Sequence, residues 1–298
     1  MDIPLRTRFE LSRPLDLALT IGPIGQGASL RLHGREAWRA TLTPEGPATV
    51  HLVHADGAVE VEAWGPGAAW AVEGAAALCG QEDYDAGFRP AHPLLADLHR
   101  RYPGLRLPKT RAVFEALVPT VLAQKVIGVE AHRSYRALVS ALGEPAPGPA
   151  GLTIPPSAKV LAGTAYWTFH GFGIERRRAE VIIRAARSAS RLEETIAMDL
   201  VSARRRLEAF PGVGPWTAAK VALVALGDAD AVQVGDYHLP HAVGYALEGT
   251  PRSTDERMLE LLEPYRGHRA RVIRLIGVAG ITAPRYGPKM PLRNLARE

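Results

Sequence analysis

The sequence predicts a mostly α-helical protein that begins with a small α/β unit. Short segments of alternating apolar and polar residues, separated by turn residues, occupy the first part of the chain. From about residue 89 the apolar residues recur at helical spacing. The net charge also changes sign at this position. Residues 1–88 hold 6 of the 36 basic and 12 of the 31 acidic residues, so their net charge is −6 and that of residues 89–298 is +11.

In the first unit the predicted strands are short and separated by Gly, Pro and Asp turns, which favours an antiparallel sheet. The predicted strands are residues 29–32, 38–42, 49–53 and 59–63. Residues 66–80 are small and Ala-rich and are predicted to form a helix. The glycines of residues 22–27 lack the strand–loop–helix setting and the Lys of a nucleotide site, so we interpret this stretch as a flexible turn.

The second unit reads as a series of amphipathic helices joined by short loops. Helices are predicted near residues 93–102, within 110–142 as one or two helices, and near 157–163, 176–190, 195–209, 216–226, 240–247, 254–263 and 267–279. Residues 144–156 are rich in Pro and Gly and are predicted to be a loop. The chain ends in a basic, Pro-containing tail at residues 281–298, with Arg285, Lys289, Arg293 and Arg297.

The cysteine count, the apolar runs and the charge exclude several classes of protein. The single cysteine, Cys79, excludes an internal disulfide and a four-cysteine zinc or iron–sulfur site, which fits a reducing compartment. No apolar run reaches membrane-spanning length, and the N-terminus lacks the layout of a signal peptide. We therefore expect a cytoplasmic protein without a membrane partner. The positive charge after residue 88 is typical of a protein that binds a polyanion.

Residues 207–239 contain the most informative pattern in the chain. A helix is predicted to end at the turn Pro211-Gly212-Val213-Gly214-Pro215, and a second helix begins at once. The free backbone N–H groups at the start of that helix carry partial positive charge, so they suit an anion without any basic side chain. Many helical proteins use a lone Gly-x-Gly only as a connector, and that interpretation stays open.

Asp236 lies in a second turn, after Gly235 and just before a predicted helix that has Pro240 near its start. Asp is a favoured residue for capping a helix, so a purely structural role is one interpretation. The N–H donors of such a cap would also keep the carboxylate ionised. A fixed anion of this kind could stabilise positive charge on a sugar as an N-glycosidic bond breaks, or activate water.

The string FPGVGPWTA at residues 210–218 resembles the helix-hairpin-helix motif of the DNA glycosylase superfamily. The resemblance covers most of residues 89–298. It implies a two-lobed helical fold, with a hairpin lobe at about 113–228 and a second lobe at about 89–112 plus 229–298, behind the α/β domain of residues 1–88. It also implies that Asp236 is the catalytic carboxylate. The residues that it implies hold a DNA phosphate are Gly212, Val213, Gly214 and Thr217.

Trp216 separates two branches of that superfamily. In the members that also cleave the DNA backbone, this position carries a Lys nucleophile, so the resemblance is closest to the monofunctional 3-methyladenine glycosylases of bacteria. Lys220, one helical turn later, does not match the nucleophile's position. In that branch a Trp here forms a wall of the base pocket, with Tyr237 as a further wall, and an electron-poor base would stack on the indole. A core role for Trp216 is the alternative.

Three other stretches extend the resemblance. FEALVPTVLAQ at residues 114–124 is similar to the helix that leads to a duplex-probing loop, which implies that Gln124 and Lys125 probe the gap left by an extruded base. GFGIERRRAEVIIRAA at residues 171–186 is similar to the family's Arg-Ala helix, and we expect Arg176–Arg178 to be solvated or to face phosphate. Near the C-terminus, where relatives offer a second pocket aromatic, this chain has Arg271 and Arg274.

Several further residues receive simpler interpretations. His238 and His241 are three apart on one helix, and with no third ligand a metal site is not expected. His238 is close enough in sequence to Asp236 to line a substrate pocket. Trp167 and Phe169 are predicted to be core aromatics. Asp228 and Asp230 are predicted to be solvated.

The sequence thus predicts a monofunctional glycosylase of base excision repair that flips a damaged base, in the first instance an alkylated one, out of double-stranded DNA. We expect a monomer that needs no cofactor, with a monovalent cation at the hairpin as an additional expectation from the resemblance. Two alternatives stay open: a non-catalytic DNA-binding or damage-sensing protein, and a glycosylase with lyase activity.

Overall fold

The computed structural model describes residues 3–25 and 27–284, so the predicted basic tail lies outside the described residues from Arg285 onward. A five-stranded antiparallel sheet in the order β1-β5-β4-β3-β2 forms the N-terminal unit. A two-stranded ladder of β6 and β7 follows much later in the chain. The strands are β1 (Leu5–Glu10), β2 (Leu30–His33), β3 (Glu36–Thr43), β4 (Gly46–Ala55), β5 (Ala58–Trp64), β6 (Glu144–Pro145) and β7 (Thr153–Ile154).

The sheet confirms the predicted N-terminal α/β unit and adds one strand that the sequence did not reveal. Strand β1 pairs with β5, with Leu5 opposite Ala63. Most of β1 is exposed, so it lacks the alternation that marks a half-buried strand. The predicted loop at 144–156 was also incomplete, because it contains β6 and β7.

The remainder of the described chain is mostly helical, as predicted. The helices are α1 (Leu17–Ile21), α2 (Ala68–Glu73), α3 (Ala75–Leu78), α4 (Pro93–Arg101), α5 (Val113–Leu122), α6 (Gly128–Leu142), α7 (Ala158–Gly163), α8 (Arg176–Arg187), α9 (Ala189–Glu193), α10 (Leu200–Glu208), α11 (Pro215–Val221), α12 (Leu239–Glu248), α13 (Asp255–Leu262) and α14 (Arg269–Val278). Helix α11 continues as a π-helical segment, Ala222–Leu226. No described helix is long and apolar enough to span a membrane.

Three of the four hydrophobic clusters among the described residues organise these elements. The first lies under the sheet and contains residues from Leu15 to Cys79. The second is built around α5, α8, α10 and α11, and the third around α4, α12, α13 and α14. The predicted domain boundaries stay predictions, but the two helical clusters explain why the hairpin before α11 and the turn before α12 belong to different packing units.

Two buried ion pairs join the N-terminal unit to the helices. Arg39 on β3 contacts Glu115 on α5 at 2.7 Å. Asp83 accepts hydrogen bonds from Arg271 on α14, one of them from Nη1 at 3.0 Å. Breaking a buried pair costs more than a surface pair contributes, so these contacts fix the sheet against the helical part.

Candidate active site

Asp236 lies at the start of α12 and is held by three hydrogen-bond donors. Its Oδ1 accepts the backbone N–H groups of His238 at 2.9 Å and Leu239 at 3.0 Å. Its Oδ2 accepts the indole Nε1–H of Trp216 at 2.8 Å. The residue is half-buried, so part of it remains accessible to solvent. The capping role expected from the sequence is therefore present, together with an indole donor from α11.

These donors determine the charge of the group. Partial burial pushes the pKa of Asp236 upward, but the hydrogen bonds from Trp216, His238 and Leu239 and the positive charge of Lys220 together lower that pKa below its usual value. Asp236 is therefore an anion at neutral pH. Its orientation is fixed before any ligand arrives, because each oxygen already has a directional donor.

The turn that carries Asp236 is itself anchored. Gly235 adopts a φ of +88°, a conformation that favours glycine, and its N–H donates to Asp255 Oδ2 at 2.9 Å. Asp255 is the first residue of α13, whose packing against α12 belongs to the third hydrophobic cluster. The carboxylate thus stands on a turn supported by two helices.

The hairpin between α10 and α11 places its free donors at the start of α11. Gly212 has a φ of +96°, and a Cβ there would come within 2.4 Å of Val181, so glycine is required. The N–H of Val213 donates to Phe210 at 2.9 Å, and its side chain is buried. Within the described chain, the N–H groups of Gly214, Trp216 and Thr217 have no protein acceptor.

Gln124 fastens the end of α5 to this hairpin. Its Nε2 donates to the carbonyl of Gly212 at 3.0 Å and to Thr217 Oγ1 at 2.9 Å. Thr217 is buried, and its hydroxyl oxygen accepts this contact. Lys125, the next residue, is exposed and has a φ of +55°. The two residues predicted to probe the DNA therefore differ. Gln124 is hydrogen-bonded to the hairpin, whereas Lys125 is exposed at the turn.

Two other residues predicted to bind substrate flank the carboxylate. Tyr237 is 79% exposed, and its ring contacts the edges of His238 and His241. The side chain of His238 is also exposed, although its backbone N–H is one of the donors to Asp236. The structure thus brings Trp216, Asp236, Tyr237 and His238 together, with the two exposed rings at the rim.

Comparison with known proteins shows what the chain is similar to. A stretch of 151 residues, 50% of this chain, is 32% identical to the probable bifunctional transcriptional activator/DNA repair enzyme AlkA of Mycobacterium tuberculosis and covers 30% of that protein. Another, 56% of this chain, is 29% identical to DNA-3-methyladenine glycosylase 2 of Escherichia coli and covers 58% of it. The solved 3-methyladenine DNA glycosylase of Archaeoglobus fulgidus matches 91% of this chain and 97% of its own, with a TM-score of 0.77 and 20% identity.

The chain is thus similar in sequence, over about half of its length, to these two DNA repair proteins, and it shares the fold of the Archaeoglobus fulgidus enzyme. No protein-family model matches it. The matched stretches span less than two thirds of each curated relative, and the solved structure shows the shared fold.

Lys220 is the site residue whose importance the sequence did not reveal. Four residues after Trp216, it lies on the same face of α11, and its Nζ is 5.0 Å from the centre of the Trp216 ring. The side chain is exposed, yet the surrounding cleft desolvates its ammonium, and this lowers the pKa of Lys220 despite the nearby Asp236 charge. The i,i+4 spacing from Trp216 was the available signal.

A cavity of about 240 Å³ begins beside Lys220. One wall is the N-terminal stretch around Gly25, which was predicted to be a flexible turn. The opposite wall is the end of α5, including Pro119 and Ala123, and Val224 continues the surface of Lys220. The cavity thus lies between the sheet unit and the helical part.

Four interpretations of individual residues were wrong. Asp228 is fully buried against Arg204 rather than solvated, and Asp230 accepts several bonds from Arg269. Trp167 is 67% exposed rather than part of the core, whereas Phe169 is buried as predicted. Arg178 is buried and donates to the carbonyl of Leu122 at 2.9 Å, so it supports the end of α5 rather than facing solvent or phosphate.

The described residues offer no metal centre built from side chains. No group of three or more His, Cys, Asp or Glu side chains among residues 3–25 and 27–284 could hold an ion. At the hairpin, the carbonyls of Pro211 and Gly212 accept hydrogen bonds from Arg184 and Gln124, so a monovalent cation would depend on other backbone oxygens of the turn.

Proposed function

We propose that this chain is a monofunctional DNA glycosylase that hydrolyses the N-glycosidic bond of a damaged base and leaves an abasic site. The observation that carries the proposal is the carboxylate of Asp236. It is ionised, fixed by three donors and only half-buried. The relatives named above are DNA repair enzymes and 3-methyladenine glycosylases, so an alkylated base is the starting hypothesis for the substrate.

The chemistry follows from the charge of Asp236. As the bond between the sugar and the base breaks, positive charge develops on the deoxyribose. An anion fixed beside that sugar stabilises the transition state without reorienting, because its donors already hold it in place. The same carboxylate can take a proton from the attacking water. Trp216 contributes by orienting Oδ2, and its ring is the proposed wall of the base pocket.

The hairpin supplies the hydrogen-bond donors that bind a phosphate of double-stranded DNA. The unpaired N–H groups of Gly214, Trp216 and Thr217 suit one phosphate, and backbone donors read no base sequence. We expect the carbonyl of Gly212 and the side chain of Val213 to shape this turn rather than touch DNA. The net charge of +11 over residues 89–298 adds attraction for the phosphate backbone.

A damaged base must leave the helical stack before its bond to the sugar is accessible. Exposed Lys125, at the tip between α5 and α6, is placed to enter the gap that remains. Gln124 keeps that tip in register with the hairpin. Tyr237 and His238 form the outer rim of the site. One copy of the chain contains all of these parts, so we expect a monomer to act, in the compartment that holds the DNA.

A monovalent cation at the hairpin stays part of the proposal only as an addition to phosphate binding. No step of the reaction above passes through it. The reaction as proposed also requires no other cofactor, because water is the only co-reactant of a glycosidic hydrolysis.

Duplexes that carry one methylated, deaminated or etheno-modified base test the proposal. The protein is incubated with each duplex, and the DNA is then heated in alkali, which cuts the strand at an abasic site. We expect strand breaks that depend on the lesion and disappear in Asp236→Asn. Equal activity in that variant would remove Asp236 from the mechanism. DNA binding without any cleavage of the panel would favour the non-catalytic alternative.

The lyase alternative makes a separate prediction. A glycosylase that uses an amine nucleophile forms an imine with the sugar, which borohydride traps as a covalent protein–DNA adduct. Trp216 occupies the position of the lyase nucleophile, so we expect no trapped adduct with the active protein. A borohydride-dependent adduct that disappears in Lys220→Met would overturn the monofunctional assignment.

A further inference from the structure

Trp167 is an exposed tryptophan on a segment whose backbone is anchored in the core. It lies on the 3₁₀-helical segment Tyr166–Phe172 and is 67% exposed. Two positions later, Phe169 is fully buried in the second hydrophobic cluster. The N–H of Ile174 donates to the carbonyl of Phe169 at 3.1 Å. The exposure of Trp167 is therefore a feature of an anchored segment and not of a loose loop.

The indole lines an open groove of about 380 Å³ together with cations of α8. Arg184 and Arg187 both line this groove and are both exposed. Within the described part of the chain, neither arginine has a carboxylate within 4 Å. Glu180 also lines the groove, but it already accepts a hydrogen bond from Arg176 Nε at 2.7 Å. The groove thus combines an indole with two cations that no carboxylate neutralises.

Tyr166 holds the indole in a defined orientation. The two rings are 5.3 Å apart and meet edge to face at 78°. The guanidinium of Arg176 lies 4.7 Å from the centre of the Tyr166 ring and packs against it in turn. Because Trp167 is still largely exposed, most of its surface remains available to a further ring.

The groove adjoins the hairpin that is proposed to bind phosphate. Arg184 Nη1 donates to the carbonyl of Pro211 at 3.4 Å. Val181, three residues earlier on α8, packs so closely against Gly212 that no Cβ would fit there. Helix α8 therefore contacts the hairpin and also lines the groove, which makes the two features neighbours on one surface.

The chemistry of the groove suits a nucleotide. A single exposed apolar residue is ordinary on a protein surface. An indole beside two unneutralised guanidinium groups, however, matches a ligand that carries both a flat ring and an anion. In a duplex the bases are stacked on one another, so their faces are not available to an indole. The bases of single-stranded DNA are available, and aromatic side chains next to a basic groove bind them without sequence preference.

We infer that this groove binds a single-stranded DNA segment next to the duplex at the hairpin. One base stacks on Trp167, and the adjoining phosphates contact Arg184 and Arg187. The inference goes beyond the proposed function, because it adds a DNA contact that takes no part in the chemistry at Asp236.

Fluorescence anisotropy with undamaged DNA tests the groove. Three probes share one duplex, which is blunt or carries a 5′ or a 3′ single-stranded tail of about eight nucleotides. We expect at least one tail to lower the dissociation constant of the wild-type chain by about 5- to 150-fold, the effect of one base stacked on an aromatic ring. Trp167→Ala should lose this gain and bind the blunt duplex as the wild type does. Trp167→Phe keeps a ring and should retain part of the gain.

The salt dependence of binding tests the cations separately. Each phosphate contact on a single strand contributes about 0.7 to the slope of the logarithm of affinity against the logarithm of salt concentration. Arg187→Gln should therefore reduce this slope by about 0.7 for the tailed probe and leave it unchanged for the blunt one. A loss of packing alone would not produce that difference between probes.

Two exposed residues of the N-terminal unit serve as matched controls. Tyr84 is 78% exposed, and Arg35 lies in the turn between β2 and β3. Tyr84→Ala should keep the full gain from the tail, and Arg35→Gln should keep the wild-type salt slope.

Three results would overturn the inference. A tail that gives no gain would assign the exposed indole to a partner other than DNA. An equal gain in Trp167→Ala would place the tail elsewhere, and an equal loss of affinity for blunt and tailed probes would place the indole against duplex DNA. Failure of the proposed function is distinguishable, because a chain that cuts no lesion can still show the gain from the tail.

Discussion

Asp236 and Asp83 are two carboxylates with a lowered pKa, and their surroundings differ in an instructive way. Burial raises the pKa of Asp83, but Arg271, the N–H of Leu107 and Arg13 together lower it. Asp83 is enclosed by cations and is 8% exposed. Asp236 is held by an indole and two backbone N–H groups and is half-buried. A lowered pKa alone therefore does not identify a catalytic carboxylate; the identity of the donors and the remaining exposure do.

The largest effect on stability should come from the enclosed carboxylate. Asp83→Ala leaves Arg271, which is 1% exposed, without its charge partner, and we expect a loss of about 3–5 kcal/mol in the free energy of unfolding. Urea denaturation measures it. If Asp83 is only structural, the excision rate per folded molecule stays at the wild-type value. A selective loss of that rate at unchanged stability would reverse the two roles.

Removing the indole donor should affect the rate and spare the fold. Trp216→Phe keeps an aromatic ring but deletes the hydrogen bond to Asp236 Oδ2. Hydrogen bonds to charged groups are worth about 1.5–3 kcal/mol, so we expect the single-turnover rate to fall about 10- to 100-fold. Trp70→Phe, on α2 of the sheet unit, is a control of the same chemistry. An unchanged rate in Trp216→Phe would mean that the indole does not orient the carboxylate.

Loosening the end of α5 should have a smaller effect. Gln124→Ala deletes the two contacts to the hairpin, at Gly212 and Thr217, while leaving Lys125 in the sequence. Each neutral hydrogen bond contributes about 0.5–1.5 kcal/mol, so DNA affinity should weaken by about threefold to a hundredfold. Fluorescence anisotropy with an uncleavable abasic analogue measures this affinity. Gln81→Ala, in the N-terminal unit, serves as the control, and an equal loss there would indicate a non-specific effect.

The smallest expected effect is an absence of pH dependence. A lowered pKa keeps Asp236 ionised at every pH above its ordinary value near 3.8, so the single-turnover rate should not fall between pH 8 and pH 5. The stabilising contribution of Asp83 is likewise complete above that value and is lost only as the pH falls through the lowered pKa. A rate that halves near pH 6 would indicate a carboxylate with a raised pKa at the reaction centre.

The sequence was most informative where structure depends on neighbours in the chain. The hairpin at 211–215, the turn at Asp236 and most helices follow from Gly, Pro and apolar spacing over a few residues. Contacts between distant segments were not accessible in this way. The bond from Trp216 to Asp236 spans 20 positions and joins two packing units. Asp228 appeared solvated because its partner, Arg204, lies 24 positions earlier on another helix.

Composition also misled where exposure was the deciding factor. Strand β1 escaped detection because an exposed edge strand needs no apolar alternation. Trp167 was predicted to be a core residue because tryptophan is highly buried on average, yet its side chain lies on the surface. Lys220 was set aside because it did not match a nucleophile's position, whereas its spacing from Trp216 already placed it on the same face of the helix as that ring.

The most direct measurement of the central claim compares cleavage and affinity in Asp236→Asn. The amide keeps the shape and can still accept from the N–H groups of α12, but it removes the negative charge. We expect the single-turnover rate to fall by about 10²- to 10⁴-fold while the dissociation constant for the same duplex stays within about threefold. Asp97→Asn, an exposed residue of α4, should change neither quantity. A rate within about tenfold of wild type in Asp236→Asn would contradict the account.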